Sequence, residues 1–203
     1  MNRKIFFDTV KSIFPNRRFD AGQVSGLDDI LDVFETRPEV ILEHKAYMLA
    51  TAFHETAFTM QPVRETKASS DAAAIAILER AFARGQLPWV RTPYWRLDNE
   101  GKSWLGRGLV QLTHKANYEK MAPLVGADLV GNPNMAMDMD VAIKIMIEGM
   151  LRGSFTGKKL SDYLGNGKGG WTSARRIINP DNLGAKIGNY GRVFYTALKG
   201  MGA

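Results

Sequence analysis

The chain of 203 residues carries 45% hydrophobic, 24% charged and 10% aromatic side chains, the usage of an ordinary folded domain, so disorder, collagen-like sequence and a repeat array are excluded. It has no cysteine, which rules out a disulfide framework, a cysteine zinc site and cysteine-nucleophile hydrolysis, and only three histidines, His44, His54 and His114, which leave little room for a histidine metal cage. Twenty-seven Lys and Arg against 21 Asp and Glu give a net charge of +6 and predict attraction to an anionic partner; the basic residues are dispersed rather than gathered into a stripe, which argues against nucleic acid.

In chain order, Ile5, Phe6, Val10, Ile13 and Phe14 predict a first helix that stops before Pro15. The N-terminal MNRKIFFDTVKSIF reads as this amphipathic helix and not as a signal peptide, because Asp8 and Lys11 interrupt the apolar run. A second helix is expected through Leu27, Ile30, Leu31 and Phe34 with Ser25 as its N-cap. A third is expected from Glu39 to about Thr56, with Pro38 in its first turn and Glu55 at its C-terminal end. Ser69 or Ser70 opens a fourth over the alanine-rich DAAAIAILERAFARG. Residues 86–113 change texture, with Pro88, Trp89, Pro93, Tyr94, Trp95 and Trp104, and suggest a short hairpin and loops. Helices return at about 114–124, 138–151, 171–178 and 183–198, separated by a glycine-rich coil over 153–170. No stretch approaches the 18 or so apolar residues of a membrane span, so no stable membrane insertion is expected.

Two motif fragments fail on context, and a third motif is absent. Gly165, Gly167 and Gly170 spell G-x-G-x-x-G, but no buried strand precedes them, so a loop is expected. His54-Glu55 begins H-E-x-x-H, yet Phe58 stands where the second zinc ligand belongs. No G-x-S-x-G occurs. What remains is carboxylate chemistry. Glu55 lies among Ala52, Phe53, Ala57 and Phe58, whose apolar side chains would desolvate it and raise its pKa, whereas Glu65 is next to Arg64, a cation that would keep it ionised. Two carboxyl groups in contrasting environments are what glycosidic hydrolysis requires.

A second tract, LGRGLVQLTHKANY from Leu105 to Tyr118, together with HET at 54–56, resembles the signature of glycoside hydrolase family 19, which includes chitinases and, closer in form, phage endolysins. ARRIINPDNLGAKIGNYGRVFYTAL also resembles the family's C-terminal helices, and the similarity runs from about Tyr47 to Leu198. The resemblance implies a mainly α, lysozyme-like fold: one catalytic domain over residues 1–203, with a smaller lobe at about 69–104 and a substrate groove between lobe and core. It implies Glu55 as general acid, Glu65 as general base and Thr113 as a holder of the attacking water. His54, Gln111, Asn117 and Arg176 would contact substrate, with Tyr118 lining the groove. Either Arg175 or Arg176 would steady the base carboxylate, the other facing solvent. On their residues alone, Gln111 and Thr113 equally satisfy a buried turn, Asn117 a helix cap and Tyr118 a core position.

The expected activity is inverting hydrolysis of β-1,4 bonds in peptidoglycan by a monomer with no metal and no cofactor. The expected setting is a host cytoplasm until release to the wall, the glycan strand being the partner. Leu109 replaces the proline of the chitinase GRGP form, which bears on chitin specificity. A chitinase and an inactive wall-binding module are the alternatives.

Overall fold

Apolar residues recurring at three and four positions become helix along most of the chain. The computed structural model describes residues 2–202. In chain order the elements are α1 (Arg3–Val10), α2 (Ala21–Glu35), α3 (Leu42–Glu55), β1 (Val63–Arg64), α4 (Asp71–Ala83), β2 (Arg107–Gly108), α5 (Lys115–Val125), α6 (Met139–Arg152), α7 (Leu160–Tyr163), β3 (Leu164–Gly165), β4 (Lys168–Gly169) and α8 (Gly184–Met201). The fold is mainly α. The chain divides into two compact units: Met1–Gln61 with Met146–Ala203, and Pro62–Ile145. The stretch at 69–104 expected to form a lobe lies inside the second unit, which is wider.

In the first unit α3 is buried continuously from His44 to Phe53, and α8 packs against both α3 and α1. Phe53 is the hub. Its ring lies 4.7 Å from Phe14, 4.6 Å from Phe58, 4.9 Å from Tyr190 and 5.9 Å from Phe194, and such pairs contribute about 0.5–1.5 kcal/mol each beyond the area they bury. This cluster fixes the end of α3 two residues before Glu55. After the helix, Ala57, Phe58 and Met60 all take positive φ (50°, 75° and 56°), a conformation that costs non-glycine residues about 1–2 kcal/mol. Tertiary bonds hold this turn: Gln23 Nε2 donates to the Phe58 carbonyl (3.1 Å), Gln61 Nε2 to the Gly22 carbonyl (2.7 Å), and the Met60 N–H to Thr56 Oγ1 (3.1 Å). Only glycine fits at 26, because a Cβ there would overlap the Met60 carbonyl.

Two helix starts differ from expectation. The cap of α2 is Asp20, not Ser25: its carboxylate accepts from the Gln23 N–H (2.8 Å) while Gln23 Oε1 accepts from the Asp20 N–H (2.9 Å), a reciprocal pair that outcompetes a lone serine. Ser25 is interior to the helix. Likewise α3 begins at Leu42, and Pro38 sits in the preceding turn. The glycine-rich coil is also more ordered than expected. Its Asn166-Gly167 pair, both at positive φ (51° and 79°), makes the tight turn of the β3–β4 hairpin.

In the second unit β1 and β2 pair antiparallel, Val63 opposite Gly108 and Arg64 opposite Arg107. Helix α4 opens as expected, with Ser70 Oγ accepting from the Ala73 N–H at 3.2 Å. Ala74 and Leu78 of α4 form a cluster with Trp95 and Leu105, against which Leu87, Val90 and Tyr94 pack. A turn forms at Asp98–Gly101, but the expected hairpin strands around it do not; the GRG tract pairs with β1 instead. At the centre of the unit Arg107, 1% exposed, donates to the Ser103 and Leu105 carbonyls (3.1 and 3.2 Å), to Tyr118 Oη (2.9 Å) and to Asp71 (2.5 Å). A buried guanidinium is tolerated because its donors are satisfied and Asp71 balances its charge. No helix among the described residues is long and apolar enough to cross a membrane.

Candidate active site

Glu55 is the last residue of α3, and its side chain is 16% exposed. Its partner is a cation rather than the apolar residues beside it in sequence: Arg175 Nη1 donates to Glu55 Oε1 at 2.5 Å. Arg175 comes from the 3₁₀ turn Ser173–Ile177 and is itself buried, at 5% exposed. Its remaining arms grip Asp181, with Nε 3.1 Å from both carboxylate oxygens and Nη2 2.6 Å from Oδ2. The Asp181 carboxylate also accepts from the Leu183 N–H (2.9 Å), in the turn just before α8. The hydrogen bond from Arg175 holds the Asp181 pKa below the usual carboxylate value, against a smaller opposing effect of burial. His54 is half-buried next door. Desolvation lowers its pKa, while the nearby Glu55 charge acts the other way. Tyr47 Oη lies in the same interior without a hydrogen-bond partner among the described residues.

Glu65 follows β1 in a tight turn whose next residues, Thr66 and Lys67, are left-handed. Each of its carboxylate oxygens accepts one hydrogen bond from a neutral donor: Tyr94 Oη to Oε1 at 2.6 Å and the Gly106 N–H to Oε2 at 2.8 Å. Its own N–H donates to the Gly106 carbonyl (2.7 Å). Burial, with the Glu65 charge beside it, pushes the Tyr94 phenol well above its ordinary pKa, so Tyr94 keeps its proton and donates it to the Glu65 carboxylate. A Cβ at position 106 would lie 2.7 Å from Gln111 Oε1 and 3.2 Å from Thr113 Cγ2. The missing side chain of Gly106 is therefore what lets Gln111 and Thr113 approach the backbone to which Glu65 is bonded.

The positions expected from sequence sort into two sets, one per unit. Glu55 and His54 stand with Arg175 and Asp181; Glu65, Gln111 and Thr113 stand around Gly106. Gln111 spends its amide N–H on the Val63 carbonyl (2.9 Å), and Asn117 donates to the Thr113 carbonyl (2.8 Å), so both brace the Thr113 segment. Three expectations are corrected. Tyr118 does not line a surface: it is 0% exposed, its hydroxyl donates to the Leu105 carbonyl (2.8 Å), and burial pushes its pKa up to about 12. Arg64 does not attend Glu65 but Asp71 (2.7 Å). The engaged arginine is Arg175, on Glu55, whereas Arg176 is exposed. Sequence reasoning missed Asp181 and Tyr94. The first lies in an N-P-D-N turn six residues after Arg175, and the second sits in an aromatic run that reads as core. Among the described residues no three His, Asp or Glu side chains gather as metal ligands.

Comparison with known proteins matches the sequence to one family. The family model for glycoside hydrolase family 19, described as chitinase class I, covers residues 49–152, which include the C-terminal half of α3 with Glu55, the Glu65 turn and the whole GRG tract. Acidic endochitinase Q of Nicotiana tabacum is 38% identical over 53 residues, 26% of this chain and 21% of that protein. The match thus spans about a fifth of the curated relative's length. No solved structure gives a comparable match. With half of its length under the family model, and with HET and GRG in the places just described, the chain belongs to glycoside hydrolase family 19.

Proposed function

We propose that the protein is an endolysin-type glycosidase that hydrolyses the β-1,4 bonds of bacterial peptidoglycan as a monomer at the cell wall, by single displacement with inversion. In this reading Glu65 takes a proton from water as the water oxygen attacks the anomeric carbon. The glycosidic C–O bond breaks, and Glu55 delivers a proton to the departing oxygen. Thr113, beside Gly106, would help to hold that water. The observation that carries the reading is the charge balance at Arg175. Because Asp181 already grips the guanidinium through two arms, Glu55 can release and regain a proton without leaving an uncompensated buried cation. Glu65, fixed through both oxygens by neutral donors, is a pre-oriented acceptor.

Peptidoglycan is favoured as substrate by the net charge of +6, which draws the protein to a polyanionic envelope and gains little on neutral chitin. Chitin is the second reading, favoured by the similarity to a plant endochitinase. The test is digestion of purified sacculi and of chitin in parallel, with borohydride reduction of the products and mass spectrometry. Peptidoglycan fragments with a newly reduced hexosamine end support the proposal, whereas soluble products from chitin alone, or cleavage at an amide, overturn it.

A further inference from the structure

From Arg80 to Leu97 the chain carries four arginines and no carboxylate side chain. Arg96 is paired with Glu79 (2.8 Å). Arg84 and Arg91 are exposed and carry no ion pair among the described residues. Between them the chain makes a tight turn, with the Val90 N–H donating to the Leu87 carbonyl at 3.0 Å. The two ends of that turn, Leu87 and Val90, pack on the Ala74, Leu78, Trp95 and Leu105 cluster, and its tip, Pro88-Trp89, projects outward. Trp89 is 73% exposed.

An indole left in water forfeits the stabilisation of burying a large apolar surface, and here it is held out by a turn whose ends are anchored. Its rigid mounting lowers the entropy lost when something covers it. Trp and Arg are also the side chains that dominate binding energy at recognition surfaces. The same apolar cluster carries Tyr94, which reaches Glu65, so the turn and the base residue share one scaffold within the second unit.

We propose that the Leu87–Val90 turn is a wall-anchoring surface. The apolar C–H face of a hexosamine ring stacks on the Trp89 indole, while Arg84 and Arg91 take free carboxylates of the stem peptides. Charge complementarity selects this occupant. Two exposed arginines that flank an exposed indole in the chain match a polymer that alternates sugar faces with carboxylates, and they have nothing to pair with on chitin. The proposal rests on the peptidoglycan reading above and supplies its substrate discrimination.

The test is co-sedimentation in the cold of wild type, Trp89→Ala, the Arg84→Gln/Arg91→Gln double variant and Leu97→Ala with purified sacculi, chitin particles and phosphatidylglycerol vesicles. Turnover of a short soluble N-acetylglucosamine oligomer and thermal melting are read alongside. Trp89→Ala is expected to weaken sacculus binding on the order of tenfold, with oligomer turnover and melting unchanged. The double variant should lose binding on sacculi but not on chitin. Leu97→Ala, which removes another exposed apolar side chain (62%), should bind as wild type. If Trp89→Ala sediments like wild type while sacculi are still hydrolysed, the anchoring surface is overturned and the proposed function stands. If wild type neither binds nor cleaves sacculi, the peptidoglycan reading falls and takes this inference with it. Equal losses on vesicles and sacculi would identify a lipid surface and overturn the glycan assignment.

Discussion

Glu55 and Glu65 are held in opposite ways. Glu55 is tied by a charge: one arm of a buried guanidinium reaches it while the other arms are committed to Asp181. Glu65 is tied by neutral donors, a phenol and a backbone N–H, neither of which changes charge near neutral pH. A charge-held group depends on one long side chain that is itself expensive to bury. A group held by neutral donors depends on backbone placement, here at Gly106, and on the position of one phenol. The first arrangement should therefore fail abruptly when its cation is lost, and the second should degrade by degrees.

The strongest way to break this contrast is Glu55→Gln. The amide keeps the size and one acceptor for Arg175 but delivers no proton, so turnover on wall substrate should fall about 10²–10⁴-fold with the melting temperature nearly unchanged. Retention of a tenth of the activity would remove Glu55 from the acid role. Next comes Arg175→Ala, which leaves Glu55 and Asp181 as neighbouring carboxylates without their cation. Urea unfolding should show a loss of about 3–5 kcal/mol, against about 0.5 kcal/mol or less for the exposed Arg176→Ala. Equal effects would mean that the clamp does not organise the unit.

Acidification sharpens the comparison through two pH windows. Burial lowers the pKa of His44 and of His54, so the unfolded chain binds those protons more readily and stability declines as pH drops below about 6.5, the ordinary histidine value. Asp181 is depressed by Arg175, and Asp71 is depressed because hydrogen bonds from Arg107 and Arg64 outweigh its desolvation. Their contribution is complete above the unfolded carboxylate value, about pH 4, and is lost as pH falls through the lower folded values. Melting temperature against pH should show both declines, and Asp181→Asn should reduce the second. A flat profile between pH 6.5 and 5 would contradict the buried-histidine account. A smaller effect is expected at Tyr94→Phe. It removes one hydrogen bond to an ionised carboxylate and should cost about 1.5–3 kcal/mol of transition-state stabilisation, roughly ten- to 150-fold in kcat, so a complete loss of turnover would show that Tyr94 does more than orient Glu65. Exhaustive EDTA treatment should leave turnover unchanged, and loss restored by zinc would overturn the two-carboxylate mechanism.

The helices were legible because their apolar spacing is local. Ser70 as a cap, Glu55 at a helix end and the GRG tract could all be read from neighbours in the chain. The Asp20–Gln23 box and the Asn166-Gly167 turn are also written locally, but Ser25 and the G-x-G-x-x-G spacing are competing cues at the same places in the chain. What sequence could not provide was side-chain pairing across distance. Adjacent Arg175 and Arg176 are chemically alike, and only the 3₁₀ turn decides which one enters the interior beside Ala174 and Ile177. Tyr118 reads equally as lining or as core until Arg107, eleven residues earlier, is found against its hydroxyl. Arg64 is adjacent to Glu65 in sequence, yet Asp71 of α4 captures it.

The left-handed run after α3 carries a consequence for the order of folding. Ala57, Phe58 and Met60 adopt a geometry that no short peptide of this sequence would choose, and the bonds that impose it reach back to Gln23 and Gly22, more than thirty residues away. Helix α3 can form early from its own periodicity, whereas the turn that sets the exit of the chain beyond Glu55 must wait for α2 to dock. In a chevron analysis Gln61→Ala should then speed unfolding and leave the folding rate almost untouched, the signature of contacts made after the transition state. Slowed folding would instead put this turn in the nucleus.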